Sequence, residues 1–389
     1  MAVTLQEVVG KQYDGRYYPN ISGVLRSLNY YPIGDERAED GIASLALGLG
    51  KYIVDGGQTL RVSPYHPNQI LQTSELDTAL RETQTRFYAL DTRHVGNDFK
   101  VDDGFNILNL KVKEAERDNS LNYIASTYDP YDQVIRDGIY DGGRKVITFA
   151  SVLQHGVFPL PQLLQLSMKY GAESMRRPVE IEFACNINQD RTGALYLLQI
   201  RPIVDSKQML DEDVAAVPDA DCILRSHNSL GHGVTEDVTD IVYVKTDDRF
   251  TASDNPMIAR EIEKINKTYL DNGANYVLVG PGRWGSSDSW LGIPVKWPHI
   301  SAARVIVEVA LKNYRVDPSQ GTHFFQNLTS FGVGYFTIDE NRGEGFFCKS
   351  ELDAMPSVME TEHVRVVRFA RPLKIMMDGK RQEGAVLRR

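Results

Sequence analysis

The pattern that most constrains this fold is a pair of strand-like runs joined by a short polar turn. Residues 178–185 (Pro-Val-Glu-Ile-Glu-Phe-Ala-Cys) alternate between polar and apolar side chains, and residues 194–200 (Ala-Leu-Tyr-Leu-Leu-Gln-Ile) form a largely apolar run. Residues 186–193 contain the Asn, Asp and Gly that favour turns. Two strand-like runs on either side of a turn predict a β-hairpin.

Four polar side chains fall at strand spacing within this hairpin. Residues two apart in a strand share a face, so Glu180 projects with Glu182, and Gln199 projects with Arg201. If the strands pair across the turn, carboxylates, an amide and a guanidinium converge. Mg²⁺ prefers hard oxygen ligands of this kind, and a planar Arg can grip phosphate oxygens. The alternative is a solvated outer face, which is the commoner position of charged residues.

Helix-like and strand-like segments alternate along the rest of the chain, which predicts a mixed α/β fold. Residues 40–49 have the pattern of a short helix that stops at glycine. Residues 159–170 carry prolines at their start, and Gly171 follows their end, as expected of a helix. A further helix is predicted over 255–270, whereas 301–312 fit a helix or a strand.

An acidic stretch divides the chain. Residues 205–221 hold six acids, one Lys and a Val-Pro break. We therefore predict a first domain over 1–205, an acidic linker over 206–221 and a second mixed α/β domain over 222–389. Residues 364–389 hold eight Lys or Arg against two acids. This basic segment is either a solvated edge strand or a docking surface for an acidic partner, such as the linker.

The composition excludes several classes of protein. The 389 residues exceed what one hydrophobic core normally serves, and 42% hydrophobic with 24% charged residues excludes a disordered chain. The net charge of −9 argues against nucleic acid or an anionic membrane as the main partner. No secretory signal or membrane-spanning run is visible, and three cysteines without a C-x-x-C motif indicate a reduced, cytoplasmic chain. The chain opens in strand-like alternation, which indicates a piece of a longer protein.

A glycine-rich turn is the main polar feature of the second region. Gly280, Gly282 and Gly285 follow a short buried-looking strand, and Arg283 and Ser286 among them would suit a phosphate or carboxylate. The turn does not have the Walker pattern. The alternative is a tight structural turn that places two nearby tryptophans in a core. His299 and His323 are further candidates for a polar site, although a lone His is more often a hydrogen-bonded core residue.

Three segments resemble the nucleotide-binding domain of pyruvate phosphate dikinases and phosphoenolpyruvate synthases, which has the ATP-grasp fold. Glu180–Pro202 is similar to the closing hairpin of that domain. Ser22–Pro32 is similar to its Ser-Gly-Val-x-Phe-Ser/Thr-Arg-Asn-Pro segment, and Ala46–Gly56 to its Gly-Leu-Gly-Glu-x-Val-Val-x-Gly segment. The resemblance covers about residues 5–205 and implies an ATP-grasp-like lobe that holds only the C-terminal part of the family domain.

The resemblance also implies roles for the hairpin residues. Glu182 and Gln199 would bind Mg²⁺ and phosphates, Glu180 would lie near the nucleotide, and Arg201 would contact the transferring phosphate. Lys51 stands where the family has Glu, so it would either contact phosphate itself or mark a different mode of ATP binding. No Thr-x-x-Ser-His phosphohistidine relay is present in the sequence.

Two functional hypotheses follow. The first is the ATP-binding portion of a kinase-type phosphotransferase, incomplete alone, with ATP and Mg²⁺ as cofactors and upstream domains of a longer chain as partners. The second is a non-catalytic module that retains the fold to sense a nucleotide or dock a partner. Lys51 and the missing relay favour the second.

Overall fold

The computed structural model describes residues 5–93, 104, 106–203, 213–247, 250–286, 288–311, 314 and 332–388. The chain forms two compact units, one of Met1–Asn29 with Glu39–Ile203 and the other of Tyr30–Ala38 with Val204–Arg389. Several sheets and a smaller number of helices make up both units, so the predicted mixed α/β class is confirmed. Among the described residues, no helix is long and apolar enough to cross a membrane.

The described residues of the first unit form three antiparallel sheets. Its strands are β1 Lys11–Tyr13, β2 Arg16–Tyr18, β3 Ile21–Arg26, β4 Ile42–Ala46, β5 Leu60–Val62, β6 Arg86–Asp91, β7 Ile107–Lys111, β8 Ala125–Asp129, β9 Val134–Asp137, β10 Arg144–Ile147, β11 Val179–Ile187 and β12 Gly193–Pro202. Its helices are α1 Lys51–Val54, α2 Leu76–Glu82, α3 Val112–Arg117, α4 Ala150–Leu153 and α5 Leu160–Met175. The strand orders are β1-β2-β6-β7, β10-β8-β9 and β12-β11-β3-β4-β5.

The five-stranded sheet has one apolar and one polar face. Val179, Ile181 and Phe183 of β11 belong to the hydrophobic core of this unit, as does Leu25 of β3. Helix α5 packs on this face, and a Cβ at Gly171 would lie 2.9 Å from Ile200 Cδ1. The side chains between these positions therefore project from the opposite face, as the period of two requires.

Two helix predictions in this unit need correction. Residues 40–49 do not form a helix, since Ile42–Ala46 is the strand β4, paired with both β3 and β5. The small and apolar residues there suit either structure, and the two neighbouring strands decide between them. Gly171 does not end its helix, because α5 continues to Met175. At this position glycine allows the helix to approach the sheet closely.

The second unit is built around one large sheet. Its strands are β13 Cys222–Ser226, β14 Ser229–Leu230, β15 His232–Val244, β16 Tyr276–Pro281, β17 Arg283–Trp284, β18 Gly292–Ile293, β19 Ala303–Val309, β20 Gly334–Ile338, β21 Phe346–Phe347, β22 Ser357–Glu360, β23 Val364–Asp378 and β24 Glu383–Leu387. Its helices are α6 Asn255–Asp271 and α7 Lys349–Ala354. The main strand order is β14-β20-β19-β16-β15-β23-β24-β13-β21, with β22 on β23.

Strands β15, β16, β19 and β20 run parallel within that sheet. The helix predicted over 255–270 is confirmed as α6, and the ambiguous segment 301–312 forms the strand β19. Four consecutive positions of β19, from Val305 to Glu308, are buried, which a central strand of a covered sheet explains.

The described part of the acidic stretch packs within the second unit. Asp213 pairs with Arg381 at 2.8 Å, Asp219 pairs with Arg225 at 2.7 Å, and Val214 is buried. Arg381 belongs to the basic segment, so acidic and basic segments of one chain contact each other here. Residues 206–212 of the predicted linker lie outside the described residues.

Candidate functional site

The hairpin predicted from the sequence is present, and its register brings the four polar residues together. Strands β11 and β12 are antiparallel, with Glu180 opposite Arg201 and Glu182 opposite Gln199. Residues directly opposite in a sheet project to the same side. The four side chains therefore share the polar face of the five-stranded sheet.

The turn fixes this register. Asn188 N–H donates to the Thr192 carbonyl at 2.7 Å, and the Asp190 carboxylate accepts from both the backbone N–H and the hydroxyl of Thr192. Arg191 takes a positive φ of 67° between them. A turn closed by its own side chains in this way sets which residues of the two strands face each other.

A β-bulge lies immediately beside the polar residues. The register shifts after the Glu182–Gln199 pair, so that Phe183 faces Leu197 and Leu198 is the extra residue of β12. The Leu198 carbonyl accepts a hydrogen bond from the Gln6 side chain at 3.0 Å. Bulges increase local twist and re-aim neighbouring side chains, and they are frequent beside functional sites.

Glu180 is held between two arginines, one from each neighbouring strand. Arg201 donates to Glu180 Oε1 through Nε at 2.9 Å and also through Nη2, and Arg26 Nε donates to Oε2 at 2.7 Å. Strand β3 places Arg26 directly opposite Glu180. Glu180 is 8% exposed, whereas the Arg26 and Arg201 side chains are 52% and 58% exposed. The carboxylate is thus covered while both guanidinium groups stay accessible.

These contacts keep Glu180 ionised. Burial by itself would raise the pKa of Glu180, but the hydrogen bonds from Arg201 and the charge of Arg26 outweigh it and lower the pKa below the ordinary value. The same contacts raise the pKa of Arg201. Glu180 is therefore an anchoring carboxylate and is unsuited to accept a proton near neutral pH.

Glu182 and Gln199 offer oxygen ligands that the protein leaves available. Glu182 is partly buried and Gln199 is exposed. Within the described ranges, neither side chain forms a hydrogen bond to another residue. One carboxylate and one amide oxygen side by side suit Mg²⁺, which usually takes one or two carboxylates and completes its shell with water and phosphate oxygens. The residues present fit this ion.

Lys51 is the first residue of α1, beyond the turn that follows β4. Its ammonium pairs with Asp55 at 3.0 Å, one helical turn away. Ser22 of β3, which shares a face with Val24 and Arg26, donates to the Gly48 carbonyl at 2.6 Å and so ties this turn to the sheet. Lys51 thus lies beyond the end of the polar face and is not in the cluster around Glu180.

Sequence reasoning missed Arg26. It lies in the segment 22–32 that resembles the family, yet its role depends on pairing with Glu180, which is 154 positions away. Arg61 on β5 is a further arginine of this face and donates to Asn29 Oδ1 at 2.6 Å. The sequence signal for Arg26 was a charged residue inside the segment 22–32 that resembles the family.

The other candidates lie in the second unit. Ser286 Oγ donates to the Asp288 carbonyl at 2.8 Å, so this hydroxyl stabilises the turn itself. A Cβ at Gly280 would lie 2.4 Å from the ring of Trp284, which is fully buried. Packing therefore accounts for this glycine, although Trp290 is 69% exposed and is not in a core. Anion binding by Arg283 and Ser286 stays a prediction, and His323 and Ser287 lie outside the described residues.

A cleft of about 220 Å³ lies at the turn end of the hairpin, where Lys11, Asn20, Asp118 and Gln189 are among its lining residues. The length of β11 separates it from the polar residues, since Glu180 and Ile187 are about 23 Å apart along an extended strand. The cleft is therefore distinct from the polar face.

Comparison with known families gives a match in the first part of the chain. The family described as "Pyruvate phosphate dikinase, AMP/ATP-binding domain" matches residues 1–219. The match includes the hairpin and the segments 22–32 and 46–56, the second of which contains Lys51. It lies at the N-terminal side of the chain and gives no support to the expectation that only the C-terminal part of the family domain is present. No curated protein matches the chain.

Proposed function

The chain belongs, through residues 1–219, to the family of the pyruvate phosphate dikinase AMP/ATP-binding domain, and from this membership we propose that the polar face of its five-stranded sheet binds ATP with Mg²⁺ and positions it for phosphoryl transfer. The observation that carries the proposal is the register of the hairpin, which sets Glu180 opposite Arg201 and Glu182 opposite Gln199.

Each of the four residues has a distinct role in this proposal. Glu182 and Gln199 hold Mg²⁺, which neutralises charge on the phosphate oxygens when bound. Arg201 binds the phosphoryl group that is transferred and stabilises its developing negative charge. Glu180 positions Arg201 through two hydrogen bonds from the same guanidinium. Its lowered pKa keeps it ionised, so it orients Arg201 and does not take up a proton.

Phosphoryl transfer depends on positioning and charge stabilisation more than on covalent chemistry by the protein. The anchored guanidinium meets this requirement, because a side chain held by a buried carboxylate needs little rearrangement when the ligand arrives. Lys51, at the end of the face, would bind a phosphate after releasing Asp55.

A second candidate is a nucleotide-sensing module that binds without turnover. Lys51 favours it, since a cation stands where the resembling family segment has a carboxylate, and this cation already pairs with Asp55. In this case ATP would bind the same face and remain intact.

Calorimetry of the full chain with ATP and Mg²⁺ tests binding, and phosphorus NMR of the same mixture tests turnover. Heat that depends on Mg²⁺ and is lost in Glu182→Gln supports the proposed site. Absence of heat in the wild-type chain refutes nucleotide binding on this face. In this mixture only water or a side chain of the protein can accept the phosphoryl group, so conversion of ATP favours a transferase that uses one of these two acceptors. Binding with unchanged ATP resonances over hours excludes transfer to either acceptor, as the sensor requires.

A further inference from the structure

We propose that Arg26 forms a second oxyanion-binding position on the polar face, so that this face takes a ligand with at least two linked phosphoryl groups. The inference rests on the proposed function, because it concerns the phosphate end of the same nucleotide site. Arg26 is not among the residues that the family resemblance identifies. In the family segment that Ser22–Pro32 resembles, phenylalanine stands at the position of Arg26.

The sheet places the two arginines symmetrically about one carboxylate. Arg26 on β3 and Arg201 on β12 are both opposite Glu180 on β11, the strand that lies between those two. Adjacent strands are about 4.8 Å apart, so the two backbones are separated by about 10 Å. Each guanidinium leans toward a different oxygen of Glu180, which brings the two cationic groups to opposite edges of one carboxylate.

Both guanidinium groups keep donors for a ligand. A guanidinium carries five N–H groups in a rigid fork. Arg26 uses Nε for Glu180, and Arg201 uses Nε and Nη2. Over the ranges that the structure describes, neither guanidinium group hydrogen-bonds to any residue other than Glu180. Since both side chains are more than half exposed, the remaining N–H groups are accessible from the polar face.

The charge of the cluster favours an anion. Arg26, Arg201 and Glu180 together carry a net charge of +1, and Glu180 is the covered member. Glu182, the next carboxylate on this face, lies opposite Gln199 and is the proposed ligand of the cation. A guanidinium recognises phosphate oxygens through paired N–H groups and satisfies one phosphoryl group at a time. Two such groups fixed on either side of Glu180 therefore match neighbouring phosphoryl groups of one chain, as in a nucleoside triphosphate or inorganic pyrophosphate.

A purely supporting role would give Arg26 a different signature. If Arg26 acted only by holding Glu180 and thereby Arg201, its loss would weaken every phosphate ligand by the same factor. A second binding position instead confers the preference for pyrophosphate over orthophosphate, because only the longer anion reaches both guanidinium groups.

The test measures binding of pyrophosphate, orthophosphate and MgATP to the full chain by calorimetry, with Arg26→Gln, Arg26→Lys and Arg136→Gln. Arg136 is the matched control, since its side chain is also 52% exposed and ion-paired but lies on β9 in another sheet. We expect Arg26→Gln to weaken pyrophosphate and MgATP on the order of tenfold or more and orthophosphate by less than about threefold. Arg26→Lys should retain part of the pyrophosphate affinity, and Arg136→Gln all of it.

Three results would overturn the second position. They are unchanged pyrophosphate binding in Arg26→Gln, an equal loss for orthophosphate and pyrophosphate, and no pyrophosphate binding by the wild-type chain. Should Arg26→Gln fail to fold, as its circular dichroism would reveal, Arg26→Lys supplies the comparison because it retains the charge beside Glu180. If the wild-type chain binds pyrophosphate through Arg26 but does not bind MgATP, the proposed nucleotide function fails and the second position stands.

Discussion

Glu182 and Gln199 face each other across the β11–β12 pairing, one step before the bulge that leaves Leu198 as the extra residue of β12. Because the register shifts immediately after this pair, the twist of the hairpin increases where the two oxygen donors project. The backbone therefore sets the side to which the carboxylate and the amide project, with Glu180 and Arg201 as the next pair along the same face.

Glu182→Gln should abolish the Mg²⁺-dependent part of ATP affinity while the fold stays intact. The carboxylate supplies the anionic ligand of the proposed ion, and within the described part of the chain it forms no hydrogen bond that stabilises the fold. Loss of even an outer partner of a metal site costs ~10–100-fold in affinity, so at least that loss is expected here. Calorimetry with and without Mg²⁺ measures it.

Glu173→Gln is the matched control for this experiment, because Glu173 is exposed on helix α5, which packs on the opposite, apolar face. It should bind MgATP as the wild type does. Retention of Mg²⁺-dependent binding in Glu182→Gln would exclude Glu182 as a ligand.

Glu180→Gln should destabilise the first unit, because two guanidinium groups lose the carboxylate between them. Removing a charged partner of a covered hydrogen-bonded group costs about 1–3 kcal/mol, and the exposure of both arginines favours the lower part of that range. Denaturant unfolding followed by circular dichroism measures the loss. Equal unfolding midpoints for wild type and variant would show that the two ion pairs contribute nothing.

The same residue predicts a pH dependence. The folded pKa of Glu180 is lowered, so its contribution to stability is complete above the unfolded glutamate pKa of about 4.3 and is lost as pH falls through the folded value. The difference in unfolding free energy between wild type and Glu180→Gln should therefore shrink below about pH 4. A difference that grows on acidification would contradict the assignment.

The hairpin was predictable from the sequence because its information is local. Strand-like runs on both sides of a turn that contains Asn, Asp and Gly predict the pairing, and the pairing specifies which side chains share a face. The partner of Glu180 on its other side was not predictable in this way. Arg26 reaches Glu180 only because β3 pairs with β11, and nothing near either residue records that pairing.

The two corrected helix predictions have the same origin. Ile42–Ala46 carries small and apolar side chains that suit a helix as well as a strand, and its neighbours β3 and β5 decide the outcome. Gly171 has the sequence appearance of a helix stop, yet its role is close packing against Ile200 and Ile181. Both depend on tertiary contacts that a single helix pattern does not contain.

Gly23→Ala should destabilise the sheet that carries the polar face. A Cβ at Gly23 would lie 2.2 Å from the ring carbon Cζ of Phe183, its partner residue on β11. Overpacking of this kind typically costs about 1–3 kcal/mol, and denaturant unfolding measures it. Gly50→Ala is the control, because the nearest atom to a new Cβ there is 3.8 Å away. An equal effect of the two substitutions would argue against the contact with Phe183.

Asp240→Asn should destabilise the second unit. The Asp240 carboxylate is 1% exposed and accepts two hydrogen bonds from Arg368, at 2.8 and 2.7 Å, as well as one from Tyr269. An amide nitrogen in that position would face donors. We expect a loss of about 2–3 kcal/mol, less than the ~3–5 kcal/mol of a fully buried pair because Arg368 is half exposed.

Asp271→Asn is the control for that measurement, since its ion pair with Lys267 is exposed on both sides. Its unfolding free energy should match the wild type within about 0.5 kcal/mol. A similarly small change in Asp240→Asn would show that the buried ion pair does not stabilise the unit.

Lys51→Glu should weaken MgATP binding if Lys51 contacts a phosphate, because the substitution reverses the charge at the end of the polar face. It also places a carboxylate one helical turn from Asp55, so Lys51→Gln is needed to separate loss of the cation from the new repulsion. With a direct contact, Lys51→Gln lowers MgATP affinity on the order of tenfold, and Lys51→Glu lowers it further. Lys51→Glu could instead strengthen Mg²⁺-dependent binding. A carboxylate at this position would then support nucleotide binding, as the family segment that residues 46–56 resemble implies. In that case the native lysine reduces the affinity of this chain for the nucleotide. Calorimetry at two ionic strengths completes the test, because Lys51 is partly exposed and the contribution of its charge should fall as salt rises.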